Sequence, residues 1–447
     1  MRVAAVVAMA LSLGLVAGCS EGAGADAKGG GGTQKAGEAA PAASKGPVYA
    51  GAPVPGLAKQ QAWSLPGGGG MTCAGEASKT EQSAQGICAL GDAVVVTKDS
   101  GGDGYTAQLL DAKSGEERKK FDIKTSMDSS GRVKHGASRL VQVGEWRDGS
   151  PALLIRTLVE TPAKDLKKAS SQTVLTMYAP SGKELGSSTF DGDSRMESPV
   201  VAGYVVDGSG AGEAKFLPIG GGEALNPGIS AMALDKKVGP GLGYSTDSAI
   251  SYQPYARWLV VTDNSSGKRA WGTKDLAPPA AIAKLVTPQS ATTARLASLH
   301  GDKAVLEWSA YGETQAVLTS IELKTGRRIA EGPAVDANIT TDDDGHALSP
   351  DGKTAVVQYG KGAVAWNPET GQEIWRQAKD ELNIYPRALP GNGVLYASLD
   401  NGKAAALDAR TKQLLPGEIE ELPEFTTNGY AILQSSEGFF VFATQPV

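Results

Sequence analysis

The chain has 447 residues, with 43 Lys and Arg against 49 Asp and Glu and a formal charge of −6. So mild a balance, without a basic stripe, argues against a nucleic-acid partner. Aromatic residues make up 6% of the chain while 58 residues are Gly, which suits an all-β fold with many turns better than a helical bundle.

Arg2 and the apolar run from Val3 to Val16 have the form of an export signal. The run is too short to cross a hydrocarbon core about 30 Å thick as a permanent helix. It ends Leu15-Val16-Ala17-Gly18-Cys19. That ending resembles the lipobox of bacterial lipoproteins, which implies removal of residues 1–18 and acylation of the Cys19 thiol. No twin-Arg motif is present, so the general secretory route is expected. The destination is then the extracytoplasmic side of the cell membrane, reached through a lipid anchor.

Residues 19–57 are dominated by Gly, Ala, Lys and Pro and are expected to be a disordered tether, unable to bury enough apolar surface to offset ordering. At about 5–6 Å × √n, such a tether holds the remainder roughly 35 Å from its lipid. Residues 58–447 are expected to form one folded domain. Cys73 and Cys88 remain once Cys19 is assigned, and an oxidising compartment makes a disulfide between them the expectation, with two free thiols as the alternative. Closing a loop of that length contributes about 3 kcal/mol.

From Ala93 onward, short β-branched runs such as Ala93-Val94-Val95-Val96-Thr97, Thr354 to Tyr359 and Gly393 to Ser398 alternate with polar turns. Asn401-Gly402, Asp351-Gly352 and Ser266-Gly267 carry two-residue hairpin signals. A longer turn recurs at Gly115, Gly182, Gly222, Gly267, Gly326 and Gly371, with Lys412 standing in the seventh. Four of the six steps between these positions are 40 to 45 residues, the length of a four-stranded propeller blade. The steps of 67 and 59 residues are expected to contain loop insertions near 130–170 and 275–300. The last two strands, around Ile432 and Phe440, have no successor and need a partner. The segment Gln61 to Leu65, with Trp63 as its anchor, supplies one. The expected fold is an all-β propeller of four-stranded blades, eight in number with seven as the alternative, closed by pairing of an N-terminal strand with the C-terminal blade.

The sharpest turn, Ala365-Trp366-Asn367-Pro368-Glu369-Thr370-Gly371-Gln372-Glu373-Ile374-Trp375, resembles the repeat of the PQQ-like propeller family, in which an apolar strand runs into Asp-x-x-Thr-Gly and a Trp follows. Asn367 stands in place of the Asp. Leu407 to Lys412 keeps the Asp and Thr, and Asn264 to Trp271 keeps the Gly and Trp. The resemblance implies a structural role for these residues: Gly admits the turn and the Trp packs between blades. The family's quinone enzymes carry adjacent cysteines under the cofactor, and this chain has none. The non-catalytic branch is therefore expected, with no cofactor, no metal and no catalytic residue.

Other motifs read as structure. His135, His300 and His346 lie in separate repeats with no nucleophile elbow. Gly239-Pro240-Gly241-Leu242-Gly243 has Tyr244 where a phosphate loop needs Gly, and Asp342-Asp343-Asp344-Gly345 lacks the ligand spacing of a calcium loop. The expected function is a monomeric binding or scaffold module whose propeller face takes a protein, peptide or polysaccharide. The alternatives are a quinone-linked oxidoreductase or the sensor domain of an envelope signalling system.

Overall fold

In the computed structural model the described residues are 46–67, 85–99, 104–124, 140–163, 168–196, 198–207, 215–225, 234–237, 242–247, 258–263, 268–286, 292–300, 302–310, 312–336, 345–360, 362–417 and 419–447. Their strands form eight antiparallel sheets. The first is Gln85–Leu90, Ala93–Asp99, Gly104–Asp111 and Glu117–Lys124; the second is Val141–Glu145, Pro151–Thr161, Ser170–Tyr178 and Glu184–Asp191. The third has Val200–Val201, Tyr204–Asp207 and Lys215–Pro218, and the fourth Leu234–Lys237, Leu242–Asp247, Trp258–Asp263 and Lys268–Gly272. Thr292–His300, Lys303–Ala310, Gln315–Glu322 and Arg328–Asp336 make the fifth; His346–Leu348, Ala355–Tyr359, Gly362–Trp366 and Glu373–Arg376 make the sixth. Ile384–Ala388, Val394–Leu399 and Ala404–Asp408 form the seventh. The terminal sheet joins Glu424–Phe425, Tyr430–Ser435 and Gly438–Ala443 to Trp63–Pro66 from the other end of the chain. The chain is an all-β propeller.

Inner strands such as Ala355–Tyr359 and Gly362–Trp366 are buried on both faces and read as near-continuous apolar runs, whereas outer strands such as Glu117–Lys124 and Glu184–Asp191 alternate with exposed residues. Leu109, Phe121 and Ile123 of the first sheet pack on Leu153 and Ile155 of the second and on Leu140 just ahead of it, and Met177 of the second packs on Val205 of the third. Farther along, Trp271 meets Leu306 and Leu323, Val335 meets Trp366, and Val356 and Trp375 meet Leu395 and Leu407. Trp63, Phe439 and Val441 pack on Ile87, Val94 and Leu110, bringing the terminal sheet against the first.

In the terminal sheet Trp63 is opposite Val441 and Leu65 opposite Phe439, while Leu57 bridges Thr444. Packing begins ahead of the boundary at 58 that composition suggests. Val54 and Leu57 are buried among Val394, Tyr396 and Phe442, and the Tyr49 ring stands edge-on to Phe440 and Phe442. The Tyr396 hydroxyl donates to Pro55 O at 2.6 Å and Asn392 Nδ2 to Gly56 O at 2.9 Å. Composition misses this because Pro53 and Pro55, which resemble linker residues, preset the extended backbone that lays Val54 and Leu57 on the sheet. Of the two expected insertions, the one near 275–300 holds the 3-10 turn Thr273–Asp275, the short helix Ala280–Ala283 and then the strand Thr292–His300. The one near 130–170 holds the strands Val141–Glu145 and Pro151–Thr161, while residues 125–139, 164–167 and 287–291 lie outside the described residues.

Candidate functional site

The repeated turn is locked in the same way in four sheets. Backbone N–H groups of Asp111, Glu322, Asn367 and Asp408 donate five residues on, to Glu116, Arg327, Gln372 and Gln413, and the carbonyls of the same four accept from Gly115, Gly326, Gly371 and Lys412. Asp111, Asn367 and Asp408 also accept two backbone N–H groups each on one side-chain oxygen, at 2.8–3.2 Å. Asn367 serves as well as Asp because the turn needs only that oxygen. Gly115, Gly326 and Gly371 hold φ of 70°, 73° and 78°, and Lys412 takes the same conformation at 64°. The irregular turn at 218–223 instead has three successive positive-φ glycines, Gly220, Gly221 and Gly222.

A Trp from the preceding sheet covers the turn. The indole N–H of Trp63 donates to Ala112 O at 2.9 Å, that of Trp271 to Leu323 O at 2.6 Å and that of Trp375 to Ala409 O at 2.8 Å. A methyl group on Gly115 or Gly326 would lie 2.8 Å from the covering indole, so the glycine is needed for contact as well as for φ. Where Trp is missing, Lys119 reaches the next turn, donating to Gly182 O at 2.9 Å with its ammonium 4.3 Å from the Tyr178 ring centre.

Because the strands are antiparallel, these turns all lie at one end of the sheets, with the short connections at 91–92, 146–150, 301–302 and 349–354. The opposite end carries the connections 100–103, 162–169, 208–214, 248–257, 311–314, 360–361, 400–403 and 436–437 and sheet-to-sheet crossings that include 192–199, 273–291 and 337–345.

A layer of polar residues sits toward that loop end. The last residue before each turn pairs with a second-strand residue: Leu110 with Val94, Tyr178 with Leu153, Ile321 with Ala304, Trp366 with Ala355 and Leu407 with Leu395. Three residues on from those partners stand Thr97, Arg156, Glu307, Gln358 and Ser398. Arg156, Glu307 and Gln358 are each 2% exposed. Arg156 donates to Gln142 Oε1 and, at 2.9 Å, to Ser198 O; burial pushes its guanidinium down to about 10. Asp207, ending Tyr204-Val205-Val206, pairs with Arg195 at 2.7 Å, and that partner holds its carboxyl below the usual range. Ser198 and Arg195 both belong to the crossing 192–199, so the layer fastens a loop-end segment from two sheets. Gln358 lies against Gly345 at the end of another crossing, where a methyl group would stand 2.8 Å from its Oε1.

Sequence reasoning passed over this layer, although its signal was present: one polar residue directly after an apolar triplet, as in Leu153-Leu154-Ile155-Arg156, Ala304-Val305-Leu306-Glu307 and Ala355-Val356-Val357-Gln358. Of the residues it did single out, Cys88 lies on the first strand of the first sheet, 4% exposed and disulfide-bonded. Cys19, Cys73, His135, residues 239–241 and the Asp342 to Asp344 run fall outside the described residues. His300 and His346 lie on the first strands of the fifth and sixth sheets. Among the described residues, no group of three or more His, Cys, Asp or Glu is placed to hold a metal ion. No helix among them is long and apolar enough to cross a membrane.

No protein-family model matches the sequence, and no curated protein matches it. Solved structures do. BamB from Moraxella catarrhalis is similar at 13% identity and TM-score 0.41, over 80% of this chain and 95% of that one. Saccharomyces cerevisiae Sqt1 is similar at 11% identity and TM-score 0.38, over 81% and 95%. The quinohemoprotein alcohol dehydrogenase ADHIIG from Pseudomonas putida HK5 is similar at 13% identity and TM-score 0.35, over 80% and 69%.

Proposed function

We propose that this chain is a lipid-anchored propeller, held by Cys19 on the extracytoplasmic side of a bacterial cell membrane, that binds or scaffolds an envelope partner on its loop end. One observation carries the reading. The two ends of the sheets are built differently: one is closed by tight turns locked through backbone bonds and covering indoles. The other carries connections of two to ten residues and the sheet-to-sheet crossings, one of which, 192–199, is fastened by the buried Arg156 and by Asp207. Rigid sheets under variable loops are the usual arrangement for recognition. The partner class is a protein, a peptide or a polysaccharide.

The test is cross-linking in intact cells with the Cys19 anchor retained. Replacing 162–169 with Gly and Ser lowers partner recovery at least tenfold, while the same replacement at 146–150 leaves it unchanged. Equal losses at both ends contradict a loop-end site. A quinone absorption band in purified protein, with dye reduction by alcohols or sugars, replaces the scaffold reading with an oxidoreductase.

A further inference from the structure

The outermost strand of every sheet leaves a row of backbone donors and acceptors at the rim, and proteins guard such edges with Lys, Arg or Pro or cover them. The described edges follow that rule with one departure. Glu117–Lys124 carries Arg118, Lys119, Lys120 and Lys124, and Lys268–Gly272 carries Lys268 and Arg269. Arg328–Asp336 has Arg328 and Pro333, Glu373–Arg376 has Arg376, and Trp63–Pro66 ends in Pro66. Lys215–Pro218 is flanked by Leu225 bridging Phe216, and Ala404–Asp408 is covered by bridges to Leu414 and Ile419. Glu184–Asp191, reading Glu-Leu-Gly-Ser-Ser-Thr-Phe-Asp, carries no Lys, Arg or Pro, and among the described residues no strand or bridge pairs with its outer side, although on one face Gly186 and Ser188 lie against the turn at 218–220, where Ser188 Oγ accepts the Gly220 N–H at 2.9 Å. Among the described residues its backbone ladder runs to Ser170–Tyr178 alone, from Asp191 opposite Gln172 to Gly186 opposite Met177, then shifts register past Leu185 so that Glu184 stands opposite Tyr178. Glu184, Ser187, Thr189 and Asp191 are exposed.

We propose that Glu184–Asp191 is a docking edge that takes an extended segment of a protein partner as a fifth strand, the segment carrying basic residues at its two ends. The charge pattern selects that occupant. Both strand ends are acidic, and Lys183 belongs to the tight turn outside the strand. A second copy pairing antiparallel over all eight positions would set Glu184 against Asp191 twice, and like charges directly opposite are destabilising. A segment with Lys or Arg opposite Glu184 and Asp191 gains both pairs instead, while main-chain bonds supply affinity. This goes beyond the loop-end reading, since it places a contact on the rim, and it can fail while the loop-end site stands.

The probe is an eight-residue peptide of alternating Thr and Val between terminal Lys residues, with two controls: terminal Glu in place of Lys, and alternate amides N-methylated. Binding to the full chain is followed by titration, and the contact is located by amide hydrogen exchange. The Lys-ended peptide is expected to bind and to slow exchange across 184–191. The double variant Ser187→Lys, Thr189→Lys, which installs the guard seen on Glu117–Lys124, weakens binding at least tenfold with an unchanged melting temperature. Glu331→Lys on the edge of the fifth sheet leaves binding intact and controls for charge alone. Absence of binding, equal binding of either control peptide, or protection confined to another strand overturns the proposal.

Discussion

The joint at Trp375 and the joint at Trp63 are made of the same parts. In each, an indole on the outermost strand of one sheet covers the turn of the next and donates to the carbonyl one residue past the turn's Asp, Ala409 O or Ala112 O. In the sixth sheet the strand bearing Trp375 continues the chain that built the sheet. In the terminal sheet the strand bearing Trp63 arrives from the opposite end and is held by pairing, burial and one indole bond. Its hold is reinforced upstream: Gln61 binds Pro47 O and the Tyr49 N–H at 2.7 Å each, and Tyr49 packs on Phe440. The repeat therefore fixes local chemistry regardless of connectivity, and the terminal sheet differs in needing its extra strand anchored without chain continuity.

The sharpest way to break this equivalence is to remove each indole. Trp63→Ala and Trp375→Ala are each expected to lower unfolding free energy by about 3–5 kcal/mol, the range for truncating a buried Trp. Denaturant unfolding should give similar losses for both, and a negligible loss for Trp63 would mean that the terminal joint is not a true copy. Next in size is Arg156→Ala, which strips Ser198 O and Gln142 of their donor and should cost about 3 kcal/mol. It should also speed amide exchange in 192–199 while leaving the turn at 367–372 unchanged.

The terminal and first sheets share a further contact, in which Glu424 accepts the Ala89 N–H at 2.9 Å and burial pushes its carboxyl up to about 7. A carboxyl raised above its unfolded value of about 4.5 favours the protonated native state, so its stabilising contribution is complete below about pH 4.5 and is lost as pH rises to about 7. Glu424→Gln should remove this component, worth up to about 3 kcal/mol between pH 4.5 and 7.5. Parallel pH–stability curves for variant and wild type would contradict it. The smallest effect is at Lys412. Lys412→Gly relieves a left-handed non-Gly residue, a gain of about 1 kcal/mol, and forfeits the ion pair to Glu381. A net change within about 1 kcal/mol is expected, whereas Gly115→Ala, which adds strain and a clash with Trp63, should cost about 2 kcal/mol.

Much of the fold was legible because its signals are local. A Gly at a fixed offset marks the turn, and an unpaired strand pair at Ile432 and Phe440 demands a partner, which Trp63–Pro66 supplies. The packing of 46–57 was not legible, because beyond one another Tyr49, Val54 and Leu57 find their apolar neighbours among residues more than 330 positions away. The polar layer was written in the sequence as single polar residues ending apolar triplets, yet its meaning needs the crossings that Arg156 and Asp207 reach. The unguarded edge at Glu184–Asp191 became visible only when the outermost strands could be compared side by side.

The most direct test of the terminal joint is amide hydrogen exchange across Gly438–Ala443 in wild type, Trp63→Ala and Trp375→Ala. Faster exchange at Phe439 to Val441 in Trp63→Ala, with Trp375→Ala affecting residues 393–409 instead, is the predicted result. Unchanged protection of Gly438–Ala443 in Trp63→Ala would show that the N-terminal strand does not complete that sheet.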